Sequence, residues 1–123
     1  MAILGDWAFA SQVEDGKTFA DDSIRNRQLS FREDHYFHIK PDDGTTFGTY
    51  VLDPTTQPKR ISFYTDKYKK DEDPEREYHQ GIYKFDGDRL LIAYRKDGPV
   101  PDDFESTAGS GVTRLVLERT KPR

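Results

Sequence analysis

No cysteine occurs among the 123 residues, which excludes disulfides, zinc–thiolate sites and thiol nucleophiles. Apolar side chains are scarce too. Hydrophobic residues make up 33% of the chain, and Leu, Ile, Val and Phe together supply 26 of the 123. That share sits just above the roughly 20% below which a chain fails to offset its ordering entropy. No apolar run approaches the roughly 20 residues of a membrane-spanning helix. The opening Met1-Ala2-Ile3-Leu4-Gly5-Asp6-Trp7 has neither the basic nor the apolar segment of a secretory signal, so a cytoplasmic location is expected. Basic residues are outnumbered, 19 Lys and Arg against 23 Asp and Glu, for a formal charge of −4. That balance argues against a nucleic-acid binder, whose affinity depends on neutralising phosphates.

What is present is aromatic: eight Phe, seven Tyr and one Trp. Each buries a large area, so a thin core can still hold a small domain together. The length suits one domain spanning 1–123. Short stretches rich in β-branched and aromatic residues alternate with turn signals, and no segment sustains a helical period. Trp7, Phe9 and Val13 share parity in a first strand that stops at Glu14-Asp15-Gly16, and 17–23 reads as loop or a brief helical turn. Leu29 and Phe31 mark a second strand and His35–Ile39 a third, which Pro41-Asp42-Asp43-Gly44 ends. Phe47–Leu52 forms a fourth, and Ile61, Phe63 and Thr65 a fifth. Tyr78–Phe85 and Arg89–Arg95 flank Asp86-Gly87, the strongest hairpin signal in the chain. Val112–Arg119 is the last. The charged run 66–76 reads as a solvated loop, and 96–111 as a long loop or lid.

Eight strands with short connections pair antiparallel, and closing them removes the exposed edges. The expected fold is all-β, an eight-stranded antiparallel up-and-down barrel, with a two-sheet sandwich as the alternative. Such a barrel is either plugged by its own side chains or holds one small ligand. Trp7 would plug one end, while Gly48 and Gly81 suggest bends or bulges.

Three motif groups run in order: Gly48-x-Tyr50-x-x-Asp53-Pro54-x-x-x-Pro58-Lys59-x-Ile61, Gly81-Ile82-Tyr83-x-x-x-Gly87-Asp88-x-Leu90, and Pro101-x-x-Phe104. With Gly5-Asp6-Trp7, Asp15-Gly16-Lys17 and Leu117-Glu118-Arg119, they resemble the lipocalin-like domain family expanded in planctomycete bacteria. The resemblance covers nearly the whole chain and implies a bacterial protein with a calycin-type barrel, without an agreed activity. The chain departs from the family pattern at Ala93, where relatives often carry Cys, and at Val100, where they often carry Arg.

Three histidines are the natural acid–base or metal candidates. His35 and His38, three apart on a strand, face opposite sides. A metal site would need His38 joined by His79 and a carboxylate; a structural or surface histidine is the blander reading, and no metal or cofactor is expected. Asp71-Glu72-Asp73-Pro74-Glu75 lacks the spacing of a calcium loop. Asp102-Asp103-Phe104-Glu105 and Ala108-Gly109-Ser110-Gly111 match neither a carboxylate pair nor a phosphate cradle. Several strands are apolar on both parities, so the exterior must be covered by loops, by a homodimer partner or by another protein.

The function expected from these readings is binding of a small, largely apolar ligand in the barrel lumen. Phe47, Phe63, Tyr83, Phe85 and Tyr94 would form the wall, with 96–111 over the mouth. The alternatives are a barrel enzyme of isomerase, cyclase or hydrolase type using His38 or His79 as the acid–base group, and an interaction or oligomerisation module.

Overall fold

The computed structural model describes residues 3–19, 24, 26–40, 44–67, 75–96 and 99–120. Its strands are β1 (Gly5–Glu14), β2 (Lys17–Thr18), β3 (Gln28–Phe31), β4 (His35–Lys40), β5 (Gly44–Asp53), β6 (Arg60–Lys67), β7 (Glu75–Asp86), β8 (Arg89–Lys96) and β9 (Val112–Arg119). From β3 to β9 each strand pairs antiparallel with its sequence neighbour, and β1 pairs with both β3 and β9. The result is a closed eight-stranded up-and-down barrel, with β2 a short flap on β1. The β1–β9 ladder, from Trp7↔Arg119 to Glu14↔Thr113, rules out the sandwich. No helix among the described residues is long and apolar enough to cross a membrane.

One end of the barrel is solid. Trp7, Phe31, Ile61, Leu90, Ile92 and Leu117 are each almost wholly buried, and burial at this level stabilises by about 1.5–3 kcal/mol per side chain. The Trp7 indole N–H donates to the Ile3 carbonyl at 2.9 Å. Over its face lies the Arg119 guanidinium, 4.2 Å from the ring centre, which also donates to the Leu4 carbonyl at 2.7 Å. As the sequence suggested, Trp7 is the plug.

At the other end β1 changes face. Its pairing with β9 slips between Phe9 and Ser11, leaving Ala10 as an extra residue. A one-residue bulge reverses the side-chain alternation beyond it, so Gln12 is buried on the inner side while Val13 loses the inward place its parity with Trp7 predicted. The sheet also parts between β1 and β3 beyond Ala8. Chain on either side of residues 20–23 spans that gap. The Phe9 N–H donates to the Arg27 carbonyl at 3.2 Å, and the Phe19 N–H to the Gln12 carbonyl at 2.8 Å.

Three further expectations change. The first hairpin closes through Asp15-Gly16 onto β2, with φ of 50° and 82° at the two turn residues, so part of 17–23 is strand. The charged run 66–76 is partly ladder, because β6 and β7 pair through Asp66↔Arg76 and Lys67↔Glu75; backbone pairing needs no apolar side chains. Residues 71–74 of the acidic cluster lie outside the described residues. The register runs unbroken through Gly48 and Gly81. Gly81 serves close approach instead, since a Cβ there would lie 2.5 Å from the Ala93 carbonyl oxygen and 2.7 Å from the Tyr94 Cβ.

Residues 99–111 cover the outside of the barrel. Val100 and Phe104 pack on the outward-facing Ile82, Ala93 and Val112, and the Lys84 ammonium sits 4.7 Å from the Phe104 ring centre. The segment is tied to the first hairpin by Gly16 N–H to Ser106 Oγ at 3.1 Å and Gly111 N–H to Asp15 Oδ1 at 2.8 Å. Loop covering therefore accounts for the apolar exterior of β7–β9. On β5 the outward Phe47 and Val51 remain 41% and 57% exposed.

Candidate functional site

Above Leu29, Phe63 and Leu115 the bore opens into a cavity of about 420 Å³. Small-molecule pockets typically span roughly 300–1,000 Å³. Each strand except β2 contributes to the wall. From β1 come Phe9, Gln12 and Glu14; from β4, Tyr36 and His38; from β5, Thr46; from β7, His79; from β8, Tyr94. Phe19 and Arg27 complete the mouth where β1 and β3 part.

The wall is aromatic in its middle and polar toward the rim. The His38 imidazole stacks on Phe9, centroids 5.3 Å apart and planes within 13°. His79 meets Tyr94 edge-on at 5.4 Å, and Phe63 meets Tyr36 at 5.1 Å. The His38 imidazole thus lies flat on a carbon surface, whereas the His79 ring stands perpendicular to that of Tyr94. The His38 Nε2 and His79 Nδ1 are shielded from bulk solvent.

Charge enters at the mouth. The Arg27 Nη1 donates to the Gln12 Oε1 at 3.1 Å, and the guanidinium lies 5.9 Å from the Phe19 ring centre. Glu14 is on the exposed rim. Both charges reach the Tyr94 phenol, whose pKa is pushed up to about 12. Burial is the main cause and the Glu14 carboxylate the next, opposed by a hydrogen bond with Thr113 and by Arg27. At neutral pH Tyr94 is therefore a neutral hydroxyl, able to donate or accept.

The structure brings together four of the side chains singled out in the sequence: Phe63, Tyr94, His38 and His79 all line this cavity. Three others lie elsewhere. Tyr83 belongs to the packed core below. Phe85 closes the solid end, 39% exposed and 6.3 Å from the Trp7 ring. Phe47 faces outward beside Phe37 on β4, because the inward parity of β5 is that of Thr46, Gly48, Tyr50 and Leu52. Both parities of β5 carry apolar residues, so alternation alone pointed to the wrong face. No residue of 99–111 lines the cavity, which corrects the expected lid.

His35 is on the outer surface, its Nδ1 2.6 Å from Asp34. Among the described residues no group of three His, Asp or Glu side chains is placed to hold a metal ion. The two flanks of the Gly-rich segment are turn structure: Asp103 accepts from the Glu105 N–H at 3.0 Å, and the Ser110 hydroxyl donates to the Thr107 carbonyl at 2.6 Å. Sequence reasoning missed Gln12, Glu14, Phe19 and Arg27. The first two are turned inward by the bulge; the last two come from chain outside the regular ladder. The Asp15-Gly16 pair, the same signal as Asp86-Gly87, was the available clue to the hairpin that holds them.

Comparison with protein-family models, with curated proteins and with solved structures found no match to this chain.

Proposed function

We propose that this protein is a binding module for a small molecule with a largely apolar body, held in the open half of the barrel. The observation that carries the reading is the 420 Å³ cavity itself, set above a core of buried aromatic and aliphatic side chains. Aromatic and aliphatic walls supply affinity through burial, and a few polar groups fix orientation, the usual division of labour in ligand pockets. The test uses the neutral fluorophore phenylnaphthylamine and a Thr46→Trp variant, which places a large ring in the cavity from β5. Saturable binding that the variant loses supports the reading; binding unchanged in the variant refutes it. Native mass spectrometry of the purified protein then identifies any retained compound. On this reading the chain groups with lipocalin-like domains, as its motif order suggests.

A second reading is an acid–base enzyme in the same cavity, favoured by the convergence of His38, His79 and the Tyr94 hydroxyl on one space. Hydrolysis of a chromogenic ester panel that vanishes in His38→Ala or His79→Ala would support it. Turnover equal to that of both variants would leave binding as the sole function.

A further inference from the structure

Arg27 supplies the one guanidinium among the described residues that line the cavity. Its position is fixed twice over, by the neutral amide of Gln12 at 3.1 Å and by the Phe19 ring. Gln12 is itself buried, so the guanidinium is steered from inside the barrel rather than from the surface. None of the ion pairs among the described residues involves Arg27. A half-buried guanidinium that has given up part of its hydration for an amide and a ring retains donors that no carboxylate among the described residues occupies.

We propose that the cavity selects organic anions: a carboxylate or sulfonate head seated on Arg27, with an aromatic body lying between Phe9 and Tyr94. This rests on the lumen being the binding site and adds the class of ligand. Glu14, the other formal charge on the wall, is on the exposed rim. His38 and His79 each have an imidazole N–H that can donate to an anionic head. Tyr36 and Tyr94 present hydroxyls, and Tyr94 stays protonated, adding a donor. The formal charges on the wall, Arg27 and Glu14, cancel, whereas the chain as a whole carries −4.

A matched pair of probes tests this. Anilinonaphthalene sulfonate and phenylnaphthylamine share one aromatic skeleton and differ by the anionic group. Charge-assisted hydrogen bonds change affinity by roughly ten- to a hundredfold. Arg27→Gln is therefore expected to weaken the sulfonate probe at least about tenfold more than the neutral probe. On the wild-type protein, raising salt from about 0.05 to 0.5 M should weaken the sulfonate relative to the neutral probe, a measurement that needs no variant to fold. An Arg27→Gln protein that binds both probes as before, or loses both alike, overturns the proposal. So does a salt response identical for the two. Failure of the lumen reading looks different: neither probe would respond to Thr46→Trp. If both probes respond to that variant but only the charge comparison fails, the cavity binds and the anion preference alone falls.

Discussion

Tyr94 couples the cavity to the stability of the fold. In an unfolded chain its phenol ionises near pH 10, whereas in the barrel burial and the Glu14 carboxylate hold it to about 12. Between those values the unfolded state releases a proton that the folded state keeps. The stabilisation is therefore complete below pH 10 and is lost as pH rises toward 12, by on the order of 2 kcal/mol. Tyr50 and Tyr83 shift in the same direction, each chiefly through burial. Urea unfolding at pH 9 and pH 11 should show a smaller loss of stability in Tyr94→Phe than in the wild type. Equal losses would mean that the phenol is not where the structure puts it. Gly81 sits directly under this residue. Adding a Cβ there meets the Ala93 carbonyl oxygen at 2.5 Å and Tyr94 at 2.7 Å, so Gly81→Ala must move either the β8 backbone or the Tyr94 side chain. A cost of about 1–3 kcal/mol is expected, together with altered probe binding because Tyr94 is wall. Thermal unfolding of a Gly81→Ala protein indistinguishable from wild type would contradict that close approach.

Among the elements, the 99–111 segment and the first hairpin form one clamp. Gly16 has φ of 82°, and a Cβ on it would come within 2.5 Å of the Ala108 amide nitrogen. Gly16→Ala should therefore loosen the hairpin from the segment, at about 1–3 kcal/mol. Because the segment covers the outer wall, the lumen should keep its affinity for phenylnaphthylamine. A variant that folds with wild-type stability, or that loses the probe, would show the clamp to be wrongly assigned. The same elements show what a sequence exposes and what it hides. β8 and β9 were legible because Leu90-Leu91-Ile92-Ala93 and Leu115-Val116-Leu117 are short apolar runs bounded by polar residues, and β7–β8 because Asp86-Gly87 punctuates it. The inward side of β1 was not, since the bulge at Ala10 reverses parity and has no composition of its own. Nor was the face of β5, where Phe47, Thr49 and Val51 are as apolar as Gly48, Tyr50 and Leu52. The site inherits both errors. His38, His79, Phe63 and Tyr94 could be placed from regular strands, while Arg27 and Phe19 enter the cavity only because the β1–β3 ladder parts. That parting is a tertiary event with no local signal.

For the whole molecule, closure divides the barrel along its axis. The solid end, built on Trp7, Phe31, Leu90 and Leu117, concentrates the buried apolar area. The open end gives up packing to hold a cavity. A structure arranged this way should separate stability from binding when each end is altered in turn. Leu117→Ala removes a fully buried side chain that does not itself line the cavity, and large-to-small changes of this kind cost about 2–5 kcal/mol. Its probe affinity should match the wild type at temperatures where it remains folded. Thr46→Trp fills the cavity from a half-buried position, so the probe should be lost while the unfolding free energy changes by less than about 1 kcal/mol. The two variants together make a crossed test, read by chemical unfolding and fluorescence titration on the same samples. If Thr46→Trp unfolds the barrel, or Leu117→Ala abolishes binding in the folded state, the two ends are a single cooperative unit and the cavity is part of the core.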